Sequence, residues 1–496
     1  MFESVASLAA HLDWAVGLIL VPLGAGALAF VFQPRSALIG LIGTAISAVA
    51  AVLLVCSVVL EGDYHHEAGG WGVPLGIDLA ADGLSVLMLA MTNLVGLGVC
   101  LQSAITAKAG HTSRGPDAAF VGFWPLWLLL LAGLNALYLS ADIFNLYVTL
   151  EVVGLSAVGL AALSGKAEAI KSAIRYLLVG VVGSLLYLLG VALLYAGYGR
   201  LDIAGLSRLL SPEPAAQMAM VLMFAALAMK SALFPLHVWL PPAHGNAAPA
   251  VSALLSAVVV KASAYIAIRL WLDLFALSGV ATPPVAVFLA ALGAGGVVWG
   301  AFQAIMAERL KLLVAYSTVA QIGYLFLTFP LLGHVPSALA AFAHLAMAHA
   351  FAKAALFLAC GRVLQALPDD RLSSLNSDLP AGTKLAMGLA AVSLIGLPPS
   401  GGFVGKWLML EAAASSAFWP LALVVVVGTL LSAAAMARIV GRLFSAPEAQ
   451  ARPAVDVAVG RSGHYDLVPL VLAVASIGLG LMGPWAVSLV AAGGGQ

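Results

Sequence analysis

The chain has 496 residues, 62% of them hydrophobic and 9% charged, with zero formal net charge and a mean hydropathy of +1.07. Soluble domains carry about 25% charged residues, so this chain lacks the polar groups to cover a water-facing surface. The balanced charge also argues against nucleic acid as a partner.

The N-terminal MFESVASLAAHLDW has no basic region ahead of an apolar run, so no cleaved signal peptide is expected. Runs of roughly 20 apolar residues, the length of a bilayer-crossing helix, then follow. They lie at 14–32, 37–60, 82–101, 118–139, 142–163, 170–197, 216–236, 248–272, 283–304, 312–332, 336–361, 384–412, 417–440 and 466–490. Runs of this length exclude a barrel. The expected fold is an all-α integral membrane protein of about 14 transmembrane helices, one polytopic domain over 1–496. Between the second and third spans, WGVPLGIDLAADGLS is β- and turn-rich and predicts a small cap outside the bilayer. The preceding DYHHE, 63–67, could ligate a metal, but a solvated loop is the simpler reading. Asp142 opens the fifth span as a helix N-cap. The cysteines Cys56, Cys100 and Cys360 are far apart in apolar runs and read as small buried hydrophobes.

The basic residues orient these spans. Loops after odd-numbered spans hold Arg35, Lys108, Arg114, Lys166, Lys171, Arg175, Arg309, Lys311, Arg362, Arg371, Lys384, Arg438, Arg442, Arg452 and Arg461. The opposite loops hold only Arg200, Arg208 and Arg269. This asymmetry makes the first set cytoplasmic and puts both termini outside. It also supports the count, because one missed helix would mix the charges of every later loop.

Two spans are interrupted by proline, each with a lysine near the break: AMKSALFPLHVWLPP in the seventh and GLPPSGGFVGKWLML in the twelfth. They stand five spans apart, so corresponding helices run in opposite directions. Broken helices at matching positions of inverted repeats point to a transport site near the midplane. The implied five-helix repeats cover about 118–272 and 283–440, flanked by helices 14–101 and 466–490.

Within the spans the ionisable set is short: Glu151, Lys230, Lys261, His344, His349, Lys353, Lys406 and Glu411. An intramembrane charge costs on the order of 3 kcal/mol on insertion scales, so such residues face a protein interior or a hydrated cavity. One lysine could snorkel to an interface, as Lys384 at a span start would. Four near mid-span on four helices predict a proton path. Glu151 needs a cation, and Lys230 is its expected partner. A purely structural ion pair is the alternative, but buried pairs stabilise weakly. His349 and Lys353 stand four apart and share a helix face, and histidine suits a proton relay. His344, five residues before His349, turns away from that face. His237 and His244, near the broken seventh span, are secondary candidates for proton uptake from the cytoplasm or for lining the turn. No nucleotide-binding, haem or cysteine-cluster motif occurs, so neither cofactor nor metal is expected.

At these residues a family becomes recognisable. ADIFNLYVTLEVVGLSA, LAMKSALFPLHVWLPPAHGNAAPAVSALLSAVVVKASAY, HAFAKAALFL and GLPPSGGFVGKWLML resemble the antiporter-like subunits shared by respiratory complex I, group 4 membrane hydrogenases and Mrp-type sodium/proton antiporters. Within that family, FNLYVTLE and a lysine on the twelfth span are most similar to the Mrp D subunit. The resemblance implies that Glu151 pairs with Lys230, that Lys261 and the His349/Lys353 face carry protons across the centre, and that Lys406 is the exit-side group. It further implies a bacterial-type plasma membrane and partner membrane subunits, a second antiporter-like subunit among them, with protons and sodium as the ions moved. The alternative is the proton-pumping arm of complex I or a membrane hydrogenase. An autonomous small-solute transporter would need a pocket of polar side chains, whereas the spans offer a file of lysines.

Overall fold

Apolar runs in lipid satisfy their own backbone only as helices or closed barrels. The computed structural model of the chain describes residues 13–73, 76–109, 118–367, 369–375, 379–444, 464–483 and 488, and is helical almost throughout. The stretch before Asp13, the C-terminus, and Arg114, Arg452 and Arg461 of the orientation argument lie outside the described residues. Helices α1 (Trp14–Val31) and α2 (Ser36–Glu61) precede a two-stranded antiparallel hairpin, β1 (Tyr64–Glu67) and β2 (Asp78–Ala81). There follow α3 (Gly83–Ala109), α4 (Ala118–Leu139), α5 (Ile143–Ala162) and α6 (Ala167–Tyr198). The seventh span divides into α7 (Pro214–Lys230) and α8 (Leu240–Asn246), and α9 runs over Pro249–Ala276. The second half holds α10 (Pro283–Met306), α11 (Leu310–Phe326), α12 (Pro336–Ala366), α13 (Ala381–Ile395), α14 (Gly401–Ser415), α15 (Trp419–Phe444) and α16 (His464–Gly478). Eleven helices among the described residues are long and apolar enough to cross a membrane. Three shorter apolar helices occupy the remaining expected spans, two of them the interrupted seventh and twelfth.

The hairpin corrects one expectation. Residues 63–67 are not a plain solvated loop: Tyr64 pairs with Ala81 and Glu67 with Asp78. Tyr64 Oη donates to Asp13 at 2.5 Å, and His66 Nδ1 meets the same carboxylate at 2.5 Å. Asp13 also caps α1 by accepting from Val16 N at 3.2 Å, so the cap is tied to the first helix.

Both breaks follow from proline chemistry. Pro235 has no N–H to give and disfavours helix at the residue before it, so α7 stops at Lys230. The carbonyl of Met229, which accepts from Ala232 N at 3.2 Å, also accepts the Trp239 indole N–H at 3.0 Å, and that indole stacks on Tyr176 at 4.2 Å between centroids. In the twelfth span α13 ends on Gly396, whose φ of +85° is a left-handed cap open to glycine. Pro398 and Pro399 follow, and Ser400 restarts the helix by accepting from Phe403 N at 3.2 Å.

Burial singles out three helices. The most apolar windows of α9 and α12 are 100% buried and that of α11 is 89% buried, against 28% for α1 and 33% for α6 and α15. Of these interior helices, α9 carries Lys261 and α12 carries His349 and Lys353. The flanking helices are joined differently. Ser47 Oγ donates to Asn93 at 2.7 Å, Asn93 Nδ2 to Asn135 at 2.9 Å, and Asn135 Nδ2 to the Leu18 carbonyl at 2.7 Å. Such uncharged interhelical bonds contribute on the order of 1 kcal/mol each in a membrane.

Two residues counted above as cytoplasmic loop charges are buried inside the bundle. Arg362 is 4% exposed and pairs with Asp466 at 3.2 Å. Lys311 is 3% exposed and donates to the carbonyls of Gly245, at 3.2 Å, and Ala247. Each charge is matched at a helix end, which is why a count of loop residues registers it as solvated.

Candidate functional site: a file of buried lysines

The expected pair forms. Lys230 is the last residue of α7, where the helix macrodipole favours a cation. Its Nζ donates to Glu151 Oε1 on α5 at 2.9 Å. Ser184 on α6 donates to the same oxygen, a partner that sequence reasoning missed. Gly183 and Gly154 flank the lysine: a Cβ on the first would stand 3.4 Å from Lys230 Cγ and one on the second 3.8 Å from its Nζ, both ordinary van der Waals contacts. The side chain of Glu151 stays 26% exposed, so the pair opens laterally. A cavity of about 30 Å³, large enough for roughly two waters, adjoins Glu151, Lys230 and Tyr176 and reaches Val259 and Ser263 on α9.

Lys261 lies between those two α9 residues in sequence and is fully buried. Its Nζ donates to the Ser256 carbonyl at 2.8 Å. Residues Leu255–Val259 form a π-helical turn, a local widening frequent at functional sites. The Ser256 hydroxyl meets Thr318 on α11 at 2.8 Å, and Thr318 donates to the Val314 carbonyl at 3.3 Å. That carbonyl also accepts from Lys353 Nζ at 2.6 Å, with Ser317 Oγ as the second acceptor of the same ammonium. The second and third lysines are therefore linked through uncharged groups of α9 and α11.

Two histidines join this cluster. His349 is buried one turn from Lys353, and neither ring nitrogen has a hydrogen-bond partner among the described residues. His244 is fully buried, stacks on Phe357 at 5.5 Å, and lies within electrostatic range of Lys261, Lys311 and Lys353. It thus stands between the central lysines and Lys311, which holds the carbonyls of the adjoining Gly245 and Ala247. His237 instead stacks on Phe234 at 5.6 Å in the seventh-span break. His344 is buried beside Leu479. Glu411 is exposed on α14 and faces outward, so the structure separates it from the lysines.

Lys406 ends the file. It is 4% exposed, donates to the Ile395 carbonyl at 2.8 Å, and lies 4.6 Å above the Tyr324 ring. Ile395 is the last residue of α13, so the ammonium neutralises the negative end of a half-helix. A Cβ on Gly396 would stand 2.8 Å from Lys406 Cδ. Gly396→Ala therefore combines a left-handed φ with a clash, and a stability loss of about 1–2 kcal/mol is expected. Thermal denaturation of the purified protein checks this, and an unshifted midpoint would sink the account.

Lys261, Lys353 and Lys406 form no ion pair with a carboxylate among the described residues. They are held by carbonyls, hydroxyls and a ring. Such an array can accept and release protons, because each position supports a charge without locking it. The uncharged members on α11, Ser317, Thr318, Gln321 and Tyr324, were missed in sequence. Their one signal is polar residues at helical spacing on an apolar helix.

Against known proteins, residues 140–432 match the family model described as NADH:quinone oxidoreductase/Mrp antiporter, TM. The chain is 34% identical to the N subunit of the NADH-quinone oxidoreductase of Desulforudis audaxviator, over 81% of this chain and 79% of that protein. It is 28% identical to the D subunit of the Na(+)/H(+) antiporter of Bacillus subtilis, over 83% of each. Its fold is similar to a chain in the structure of the Mrp complex from Dietzia sp., with a TM-score of 0.85 and 26% identity, over 97% of this chain and 96% of that one.

Proposed function

The chain belongs to the NADH:quinone oxidoreductase/Mrp antiporter transmembrane family, and from that membership we propose that it is the proton-translocating subunit of a multi-subunit monovalent cation/proton antiporter. One observation carries the reading: three buried lysines on separate helices are held by uncharged groups and follow one another from α9 to α14. Keeping an uncompensated ammonium in the interior costs stability, and proton transfer accounts for that cost where tethering does not.

In the proposed mechanism a neighbouring subunit acts on Glu151, whose partial exposure leaves it within reach. When the carboxylate withdraws, Lys230 loses the charge that favours its protonated form and releases its proton through the adjoining cavity to Lys261. Lys261 and Lys406 begin this step as neutral amines and Lys353 as an ammonium. Two ammonium ions in a dry interior repel strongly, so protonating Lys261 drives the proton of Lys353, with His349 and His244 alongside, on to the neutral Lys406, which releases it outward. The proposal includes inverted repeats over about 118–272 and 283–440, each with one broken span and a lysine at the negative end of a half-helix. It places the protein in a bacterial-type plasma membrane, both termini outside, beside a second antiporter-like subunit.

A second reading has a specific support, the 34% identity to a quinone oxidoreductase subunit. There the same file would be driven by electron transfer in partner subunits. Mild-detergent purification of the tagged chain from its native membrane, followed by mass spectrometry, separates the two. The antiporter reading predicts membrane subunits without redox proteins, and sodium- or potassium-dependent collapse of a pH gradient in everted vesicles. Co-purifying iron–sulfur or quinone-reductase subunits would overturn it in favour of the second.

A further inference from the structure

We propose that Gln321 is the positioning residue for proton transfer between Lys353 and Lys406, an inference that rests on the reading of both lysines as proton carriers. Lys353 is anchored at Val314 and Ser317 of α11, and Lys406 sits over Tyr324 of the same helix. From Ser317 to Tyr324 is seven residues, roughly 10 Å along the axis at 1.5 Å per residue. Among the described residues no hydrogen bond joins the two lysines directly, so water is the carrier proposed between them. Of the side chains between these anchors, Val319, Ala320, Ile322 and Gly323 offer no polar atom. Thr318 is engaged with Ser256. Within this stretch of α11 that leaves Gln321, one turn from Ser317 and three residues before Tyr324, on the same helix face.

Its surroundings fit the role. Gln321 is 5% exposed, and its Nε2 donates to the Leu394 carbonyl at 3.2 Å. Leu394 immediately precedes Ile395, whose carbonyl holds Lys406. The bond orients the amide and leaves its second N–H and its Oε1 to hold a bridging water. A primary amide both donates and accepts without itself taking charge, so it can align water without trapping the proton.

The test uses the complete complex in everted vesicles, reading cation-driven collapse of a pH gradient. Gln321→Leu keeps the approximate volume and removes the polar atoms, whereas Gln321→His restores a group able to hold water. Gln321→Leu is expected to slow proton flux roughly ten- to hundredfold, the usual consequence of losing alignment at a transfer step. Subunit co-purification and melting temperature should be unchanged, and Gln321→His should recover most of the rate. Wild-type flux in Gln321→Leu would overturn the proposal, as would equal impairment in both variants. A rate loss that follows a drop in melting temperature would overturn it too, reducing Gln321 to a tether between α11 and α13. Lys406→Ala in the same vesicles tests the underlying reading separately. Wild-type flux there defeats the lysine file itself, whereas an inactive Lys406→Ala beside an active Gln321→Leu defeats only the role of Gln321.

Discussion

Replacing Lys230 with alanine is expected to abolish cation-driven proton flux, by at least a hundredfold, while the complex still assembles. The variant leaves Glu151 with Ser184 as its hydrogen-bond donor and no counterion. Removing one partner of a fully buried pair costs about 3–5 kcal/mol, and the 26% exposure of Glu151 places the penalty below that range. Two companions separate charge from structure. Glu151→Gln with Lys230→Ala has no orphan charge, so it should regain stability and remain inactive. Lys230→Arg keeps the ion pair but cannot release its proton at working pH, so it should assemble normally and transport nothing. Flux near the wild-type rate in Lys230→Arg would show that the pair is a tether.

A comparable loss is expected at Lys353. Lys353→Met approximately preserves length and volume, removes the ammonium from Val314 and Ser317, and should reduce flux at least a hundredfold. Its stability should move the other way. A buried ammonium without a carboxylate is costly, and apolar replacements of buried charges are often neutral or stabilising, so the melting temperature is expected to hold or rise. A variant both inactive and markedly less stable would mean that Lys353 chiefly holds α12 against α11. Gain of stability with loss of flux is the signature of a residue retained for transport.

The two cases differ in how far the sequence foretells them. The Glu151–Lys230 contact can be anticipated, because a mid-span carboxylate has to find a cation and few are on offer. The surroundings of Lys353 cannot. Its partners are a backbone carbonyl and a serine on α11, and neither is marked in sequence by charge. His244 reads in sequence as a proton-uptake or turn-lining residue after the broken seventh span, but nothing there foretells that it packs against Phe357 within electrostatic range of Lys261 and Lys353. Glu411 shares the composition of a site residue but lies on the outward face of α14, a distinction that depends on helix rotation alone.

Local chemistry along the chain is enough to specify a helical membrane protein, its approximate spans, the breaks in the seventh and twelfth, and the lysines that lie inside the membrane. Each of these follows from apolar length, proline's missing N–H, or the cost of a charge in lipid. Packing settles the rest: which helices form the interior, which groups hold each ammonium, and that Lys311 and Arg362 are buried rather than solvated. Those outcomes depend on how each helix rotates and what it meets. Carbonyls and hydroxyls from other helices, which carry no charge to mark them in a sequence, become ligands only when packing brings them to the lysines.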